Sequence, residues 1–192
     1  MSTPSILEKI VATKRGEVEA RRAGKTRAAL ELDIAGLDKP RDFHAALRER
    51  AAAGRPAVIA EFKRASPSAG WIRRHADAAE VARAYAAGGA ACMSVLTDVE
   101  YFRGRDEDLI TARSACELPV IRKDFVIDEY QVFETRALGA DAMLLIVAAL
   151  DDARLRDFSA LGVLRPTLSQ GRDAQPKSSP QAAATPEDPP AL

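Results

Sequence analysis

The first fifty residues carry a helical pattern of apolar and polar positions. Between Ile6 and Arg22, apolar residues recur every three or four positions among lysines, arginines and glutamates, after a Ser-Thr-Pro-Ser start that suits a helix cap. A second segment of this kind runs from about Asp42 to Ala53 and is followed by a glycine and a proline. The pattern therefore predicts two helices before the rest of the chain.

Beyond Pro56, short apolar runs alternate with helix-like stretches. The runs of strand length cover residues 57–63, 91–96, 119–123 and 142–147, and the helix-like stretches between them cover 78–87, 107–115 and 129–138. Strand, helix and strand at this spacing predict right-handed βαβ units and a parallel sheet. Glycine lies at the end of two of these helices, at Gly88-Gly89 and at Gly139, where it is typical of a helix C-terminus.

The pattern divides the chain into two parts. Residues 1–161 carry the alternating elements and form one predicted α/β domain. Residues 162–192 contain six of the eleven prolines and no aromatic residue. Such a composition does not bury enough apolar area to offset the cost of ordering the backbone, so we expect a disordered tail.

Charge and cysteine content narrow the class of protein. Lysine plus arginine equals aspartate plus glutamate at 28 each, so no net field favours nucleic acid or an anionic membrane surface. No apolar stretch approaches the roughly 18 residues that cross a bilayer. Cys92 and Cys116 have no metal-binding spacing, and we interpret them as reduced thiols of a cytoplasmic protein without a metal site.

Candidate chemistry lies at the ends of two predicted strands. Glu61 and Lys63 are two residues apart, so they leave the same face of the first strand, and Lys123 with Phe125 repeats this arrangement on the third. The C-terminal ends of parallel strands meet at one edge, where we expect Glu61, Lys63 and Lys123 to converge. By themselves, such residues are more often a solvated ion pair than a catalytic pair, and Phe102 and Phe125 are more often core or loop packing than substrate contacts.

Four segments of the chain together resemble the indole-3-glycerol phosphate synthase family, and the resemblance extends over roughly residues 5–160. The segments are Ala60-Glu61-Phe62-Lys63-Arg64-Ala65-Ser66-Pro67-Ser68-Ala69-Gly70, Ser94-Val95-Leu96-Thr97-Asp98 with Tyr101-Phe102-Arg103-Gly104, Pro119-Val120-Ile121-Arg122-Lys123-Asp124-Phe125, and Gly139-Ala140-Asp141-Ala142-Met143-Leu144-Leu145-Ile146-Val147. The resemblance implies a (β/α)8 TIM barrel, here a partial one of about four βα units preceded by two helices.

The family resemblance also implies an activity and a set of site residues. The family is a group of carboxy-lyases of tryptophan biosynthesis, which decarboxylate and cyclise 1-(2-carboxyphenylamino)-1-deoxyribulose 5-phosphate without a metal or organic cofactor. By resemblance, Lys123 is the general acid, Lys63 holds the substrate carboxylate and Glu61 orders the lysines. The remaining matches are to substrate contacts: Ser66 to the phosphate, and Phe102, Phe125 and Leu144 to the apolar walls of the ring site.

The chain departs from the family after residue 161. A full barrel typically needs roughly 250 residues, and where the family carries a carboxylate on the fifth strand this sequence has Val163-Leu164-Arg165-Pro166-Thr167. We therefore expect impaired catalysis. The alternative is a non-catalytic fragment that binds ligand weakly or self-associates through exposed strand edges. A sister barrel such as phosphoribosylanthranilate isomerase fits less well, because it lacks the Glu-x-Lys-x-x-Ser-Pro-Ser string.

Overall fold

A computed structural model describes residues 5–162 as an α/β fold built on a parallel sheet, which confirms the predicted class. Its helices are α1 (Ile6–Gly24), α2 (Arg27–Ala35), α3 (Phe43–Ala52), α4 (Ala78–Ala87), α5 (Asp106–Ala115), α6 (Glu129–Ala137) and α7 (Asp152–Gly162). Its strands are β1 (Ile59–Phe62), β2 (Ala65–Ser66), β3 (Gly70–Trp71), β4 (Cys92–Leu96), β5 (Val120–Lys123) and β6 (Ala142–Met143), and a 3-10 turn covers Val147–Ala149. The predicted disordered tail lies outside the described residues, apart from Gly162 at the end of α7.

Local sequence signals set the helix ends. Ser5 and Glu8 form a capping box at the start of α1, in which the Ser5 side chain accepts from the Glu8 N–H and the Glu8 carboxylate accepts from the Ser5 N–H. Glycines mark the C-terminal ends of two later helices: Gly89 follows α4 and Gly139 follows α6, with φ of 82° and 87°. This left-handed backbone conformation favours glycine, as the two matching junctions predict.

Three helices precede the first strand, one more than the pattern predicts. The additional helix, α2, has only nine residues and begins at a Thr26 cap. Its apolar residues form no clean stripe, because Leu30 is buried against α6 whereas Leu32 is 76% exposed. Packing against a neighbour rather than periodicity stabilises this helix, and the sequence pattern carries little of that information.

The four-stranded sheet has the order β1-β4-β5-β6 with every pair parallel, and β2 and β3 form a separate antiparallel hairpin after β1. Helices α4 and α5 cover its outer face over a core that includes Phe62, Val95, Leu109 and Val120. The last strand is shorter than predicted, since β6 stops at Met143 and the apolar run after it leads into the 3-10 turn.

Helix α1 lies beside the C-terminal ends of the central strands. Its Thr13 hydroxyl is 2.8 Å from the Tyr101 hydroxyl, and its Lys14 ammonium contacts Asp98 and Asp124, which follow β4 and β5. The same helix packs with α2 against α6 through Val18. Within residues 5–162, no helix is both long enough and apolar enough to span a bilayer.

Candidate active site

The parallel register brings the predicted acid and lysines to one edge of the sheet. Glu61 of β1 pairs with Ser94 of β4, and Leu96, two residues further along β4, pairs with Lys123 of β5. Side chains two residues apart on a strand share a face, so Glu61 and Lys123 point to the same side of the sheet. That side is opposite the one that Phe62 and Val95 bury under the outer helices.

One carboxylate joins the two lysines. The Lys63 ammonium lies 2.9 Å from Glu61 Oε1, and the Lys123 ammonium donates to Glu61 Oε2. The three side chains are 28 to 40% exposed, so this edge of the sheet is open to a ligand. The Tyr85 hydroxyl donates to the Glu61 carbonyl at 2.9 Å and holds the strand in place below the pair.

The electrostatics of this cluster favour a charged carboxylate. Partial burial by itself raises the pKa of Glu61, but the hydrogen bonds from Lys123 and Lys63 and their positive charges outweigh it, and the net pKa is lowered. Glu61 is therefore ionised at neutral pH and acts as an acceptor. Two ammonium groups on one carboxylate leave positive charge to attract an anionic ligand.

Two aromatic rings lie at the same end of the sheet. Phe102 follows β4 and Phe125 follows β5, and their ring centroids are 6.1 Å apart in a tilted pair. Both side chains are only half-buried. Leu144 lies one residue beyond the Arg122–Met143 pair, and alternation along the strands then places it beside Lys123. These half-buried apolar side chains fit the predicted ring-binding role.

Ser66 lies in the hairpin after β1. Its hydroxyl accepts from the Ala69 N–H at 3.1 Å and lies 3.4 Å from the Ser68 hydroxyl. The hairpin borders a cavity of about 340 Å³, which Trp71, Tyr101 and Arg103 also line. A second cavity of about 190 Å³ lies at β1 and is lined by Glu61, Lys63, Arg73 and Tyr85, among others.

The structure adds residues that the sequence pattern does not single out. Lys14, Asp98 and Asp124 form a buried ionic group, and its two aspartates accept from the Phe102 and Phe125 N–H groups. Lys14 lies four residues after Ile10 and four before Val18, on the buried face of α1, although a lysine on such a face usually extends its ammonium to solvent. Among residues 5–162, no group of three or more histidine, cysteine, aspartate or glutamate side chains is arranged to hold a metal ion.

Comparison with known proteins identifies a family over most of the chain. Residues 7–162 match the family model described as indole-3-glycerol phosphate synthase. Two curated proteins of that name, from Laribacter hongkongensis (strain HLHK9) and Albidiferax ferrireducens (strain ATCC BAA-621 / DSM 15236 / T118), are 58% and 54% identical to the chain over 156 residues. The match covers 81% of this chain and 59% of each relative, so the chain spans less than two thirds of their length.

Proposed function

The chain belongs to the indole-3-glycerol phosphate synthase family, and from this premise we propose that its site takes 1-(2-carboxyphenylamino)-1-deoxyribulose 5-phosphate and supports closure of the indole ring. The convergence of Lys63 and Lys123 on Glu61 carries the proposal. Ring closure needs a proton at the carbonyl oxygen, and the departing carboxylate needs a positive group that positions it. The two ammonium groups meet these two requirements.

The roles follow from the positions of the three residues. Lys123 donates a proton to the substrate carbonyl as the aromatic carbon that bears the carboxylate attacks it. Lys63 holds that carboxylate until carbon dioxide leaves, after which loss of water completes the ring. Glu61 is a charged acceptor between the lysines, and it orients both ammonium groups and the sugar hydroxyls.

The remaining predicted contacts fit the parts of this substrate. Phe102, Phe125 and Leu144 offer apolar surface to the anthranilate ring, and offset or tilted packing on aromatic rings is favourable. Ser66 and the cavity beside it, which Arg103 also lines, offer a hydroxyl and a positive charge to the phosphate. We propose these four residues as substrate contacts.

Substrate binding by the 192-residue chain tests this proposal. Calorimetry should detect saturable binding, and Lys63→Met should weaken it at least about tenfold, because a hydrogen bond to a charged group contributes roughly 1.5–3 kcal/mol. Lys39→Met is the matched control, since its neighbour Arg41 contacts Cys116 and Leu118 at the opposite end of the strands. No binding by the chain, or equal weakening by both variants, would contradict the proposal.

We propose that turnover by this chain is more impaired than binding. The resemblance places a second carboxylate on a fifth strand, where the sequence reads Val163-Leu164-Arg165-Pro166-Thr167. Loss of one well-placed acid or base costs about 10²–10⁴ in rate. Any indole-3-glycerol phosphate that the chain forms, measured by indole fluorescence, should disappear in Lys123→Met. Turnover that survives this substitution would exclude Lys123 as the general acid.

A second candidate is self-association without catalysis. Within residues 5–162, strands β1 and β6 each pair on one side only, and Val58 and Ile59 at the β1 edge are 49% and 46% exposed. Unpaired backbone groups beside exposed apolar side chains favour pairing with another strand. A second copy of the chain offers the same edges, and we propose it as the partner.

A further inference from the structure

Lys14 is a charged side chain inside the molecule. It comes from the middle of α1, is only 3% exposed, and lies within 3 Å of three carboxylates: Glu17 at 2.7 Å, Asp98 at 2.9 Å and Asp124 at 2.9 Å. A buried ammonium is costly unless such partners compensate it. None of the roles proposed above uses this residue.

Asp98, one of the partners of Lys14, shapes the loop after β4. Asp98 Oδ1 accepts from the N–H groups of Tyr101 at 2.8 Å and Phe102 at 3.2 Å. The Asp98 carbonyl accepts from the Gly104 N–H, which closes the loop. Within the described residues, Asp98 Oδ2 accepts no hydrogen bond of good geometry, so the Lys14 ammonium is its compensating charge.

Asp124, another partner of Lys14, fixes the chain between Lys123 and Phe125. Asp124 Oδ1 accepts from the Phe125 N–H at 2.8 Å, and it is this oxygen that Lys14 contacts. Burial by itself raises the pKa of Asp124, but Arg122 and Lys14 outweigh it and lower the pKa to about 2. The carboxylate is therefore charged, and Lys14 links a charged group on each of the two segments.

We propose that Lys14 is a positioning residue that holds the Phe102 loop and the Lys123–Phe125 segment in one fixed geometry. The inference rests on the proposed function for what these segments bind, and on the buried contacts alone for their coupling. One ammonium between two carboxylates makes the position of each loop depend on the other. Phe102 and Phe125, 6.1 Å apart, then present a single preformed surface to the substrate ring.

Amide hydrogen exchange tests the coupling without any substrate. In the 192-residue chain with Lys14→Met, the Phe102 and Phe125 amides should exchange at least about tenfold faster, while those of Met93 and Val95 in the central strand stay unchanged. Arg22→Met is the matched control, because it removes another α1 cation, whose partner Asp128 caps α6 and does not contact Asp98 or Asp124. Uniform acceleration at all of these amides in Lys14→Met would show a merely structural role and overturn the proposal.

Asp98→Asn separates the coupling from loss of fold. The asparagine oxygen still accepts from Tyr101 and Phe102, whereas its NH₂ group repels Lys14. Faster exchange at Phe125, on the other segment, supports the link through Lys14, and a change confined to Tyr101 and Phe102 overturns it. Substrate binding is measured separately: a wild-type chain that does not bind the substrate contradicts the proposed function, and the exchange rates still decide the role of Lys14.

Discussion

At the scale of single residues, the central feature is a carboxylate that forms ion pairs with two lysines. Glu61 is held ionised by Lys63 and Lys123 against the effect of its own burial. Burial raises the pKa of Glu61 and the two lysines lower it. Removing either lysine must therefore raise this pKa. The charge state of Glu61 therefore reports on whether the two lysines share it in solution.

We expect Lys123→Met to raise the pKa of Glu61, and Lys63→Met to raise it too, because each removes a hydrogen bond and a positive charge. Carbon-13 NMR of the side-chain carboxyl, titrated from pH 7 to 2, measures this directly. Glu31 is a suitable internal reference, since it is exposed and pairs with Arg27 on α2. A Glu61 pKa that is the same in wild type and both variants would show that the ion pairs do not form in solution.

The residues of this cluster were predictable because strand alternation is a strong rule. Glu61 and Lys63 had to share a face, and a parallel sheet had to bring Lys123 to the same edge. The ionic partners of Lys14 were not predictable, because Asp98 and Asp124 are 84 and 110 residues away along the chain. Helical spacing places Lys14 on the apolar face between Ile10 and Val18, and the packing of α1 on the sheet shows what its ammonium contacts.

At the scale of elements, the loop between β4 and α5 depends on one glycine. A Cβ atom on Gly104 would lie 2.2 Å from the Leu96 carbonyl oxygen, which is backbone and does not move aside. Gly16 in α1 is the opposite case, since nothing lies within 4 Å of a Cβ atom there. Replacement of glycine by alanine at the two sites should therefore have opposite effects on the free energy of unfolding.

We expect Gly104→Ala to lower the free energy of unfolding by about 1–3 kcal/mol, the usual cost of overpacking, and to weaken substrate binding through Phe102. Gly16→Ala should raise the free energy of unfolding by roughly 0.5–1 kcal/mol, because alanine loses less backbone entropy in a helix. Urea denaturation followed by circular dichroism measures both. A neutral Gly104→Ala variant would mean that the loop does not approach Leu96 as described.

The buried Asp124 joins α1, through Lys14, to β5, through Arg122, and makes this packing sensitive to acid. Its pKa is about 2 in the folded chain and 3.8 in the reference state, so the unfolded chain binds more protons between these values. Its contribution is complete above about pH 4 and is lost as the pH falls through 2, by on the order of 2 kcal/mol. Urea unfolding at pH 5 and 2.5 should show a smaller loss in Asp124→Asn than in wild type, and equal losses would contradict this linkage.

Element boundaries were predictable where a local signal exists. Asp77 caps α4 at the predicted start, and the glycines after α4 and α6 end these helices as expected. The short α2 and the early end of β6 were not predictable. Leu30 of α2 is buried by Tyr130 and Phe133 of α6, and the length of β6 depends on its pairing with β5, so neither is encoded locally.

At the scale of the whole molecule, a network of buried and half-buried charges joins α1 to the sheet. Arg122 of β5 is 1% exposed and contacts Asp106, Asp124 and Glu134, while Arg21 of α1 contacts Asp106 and Glu134 from the other side. These contacts fix α1 against the C-terminal strand ends on which Lys14 acts. The β1 edge of the sheet lies outside this network, and Val58 and Ile59 are half exposed there.

We expect the 192-residue chain to self-associate through this edge, because unpaired strand backbone beside exposed valine and isoleucine pairs readily with a second copy. Size-exclusion chromatography with light scattering should show mass above 20.7 kDa that increases with concentration. Val58→Lys should shift the distribution toward monomer, because an edge lysine opposes strand pairing. Leu32→Lys is the matched control, since Leu32 is 76% exposed on α2 and belongs to no strand. A monodisperse monomer at all concentrations, or equal effects of both lysines, would exclude the β1 edge as the interface.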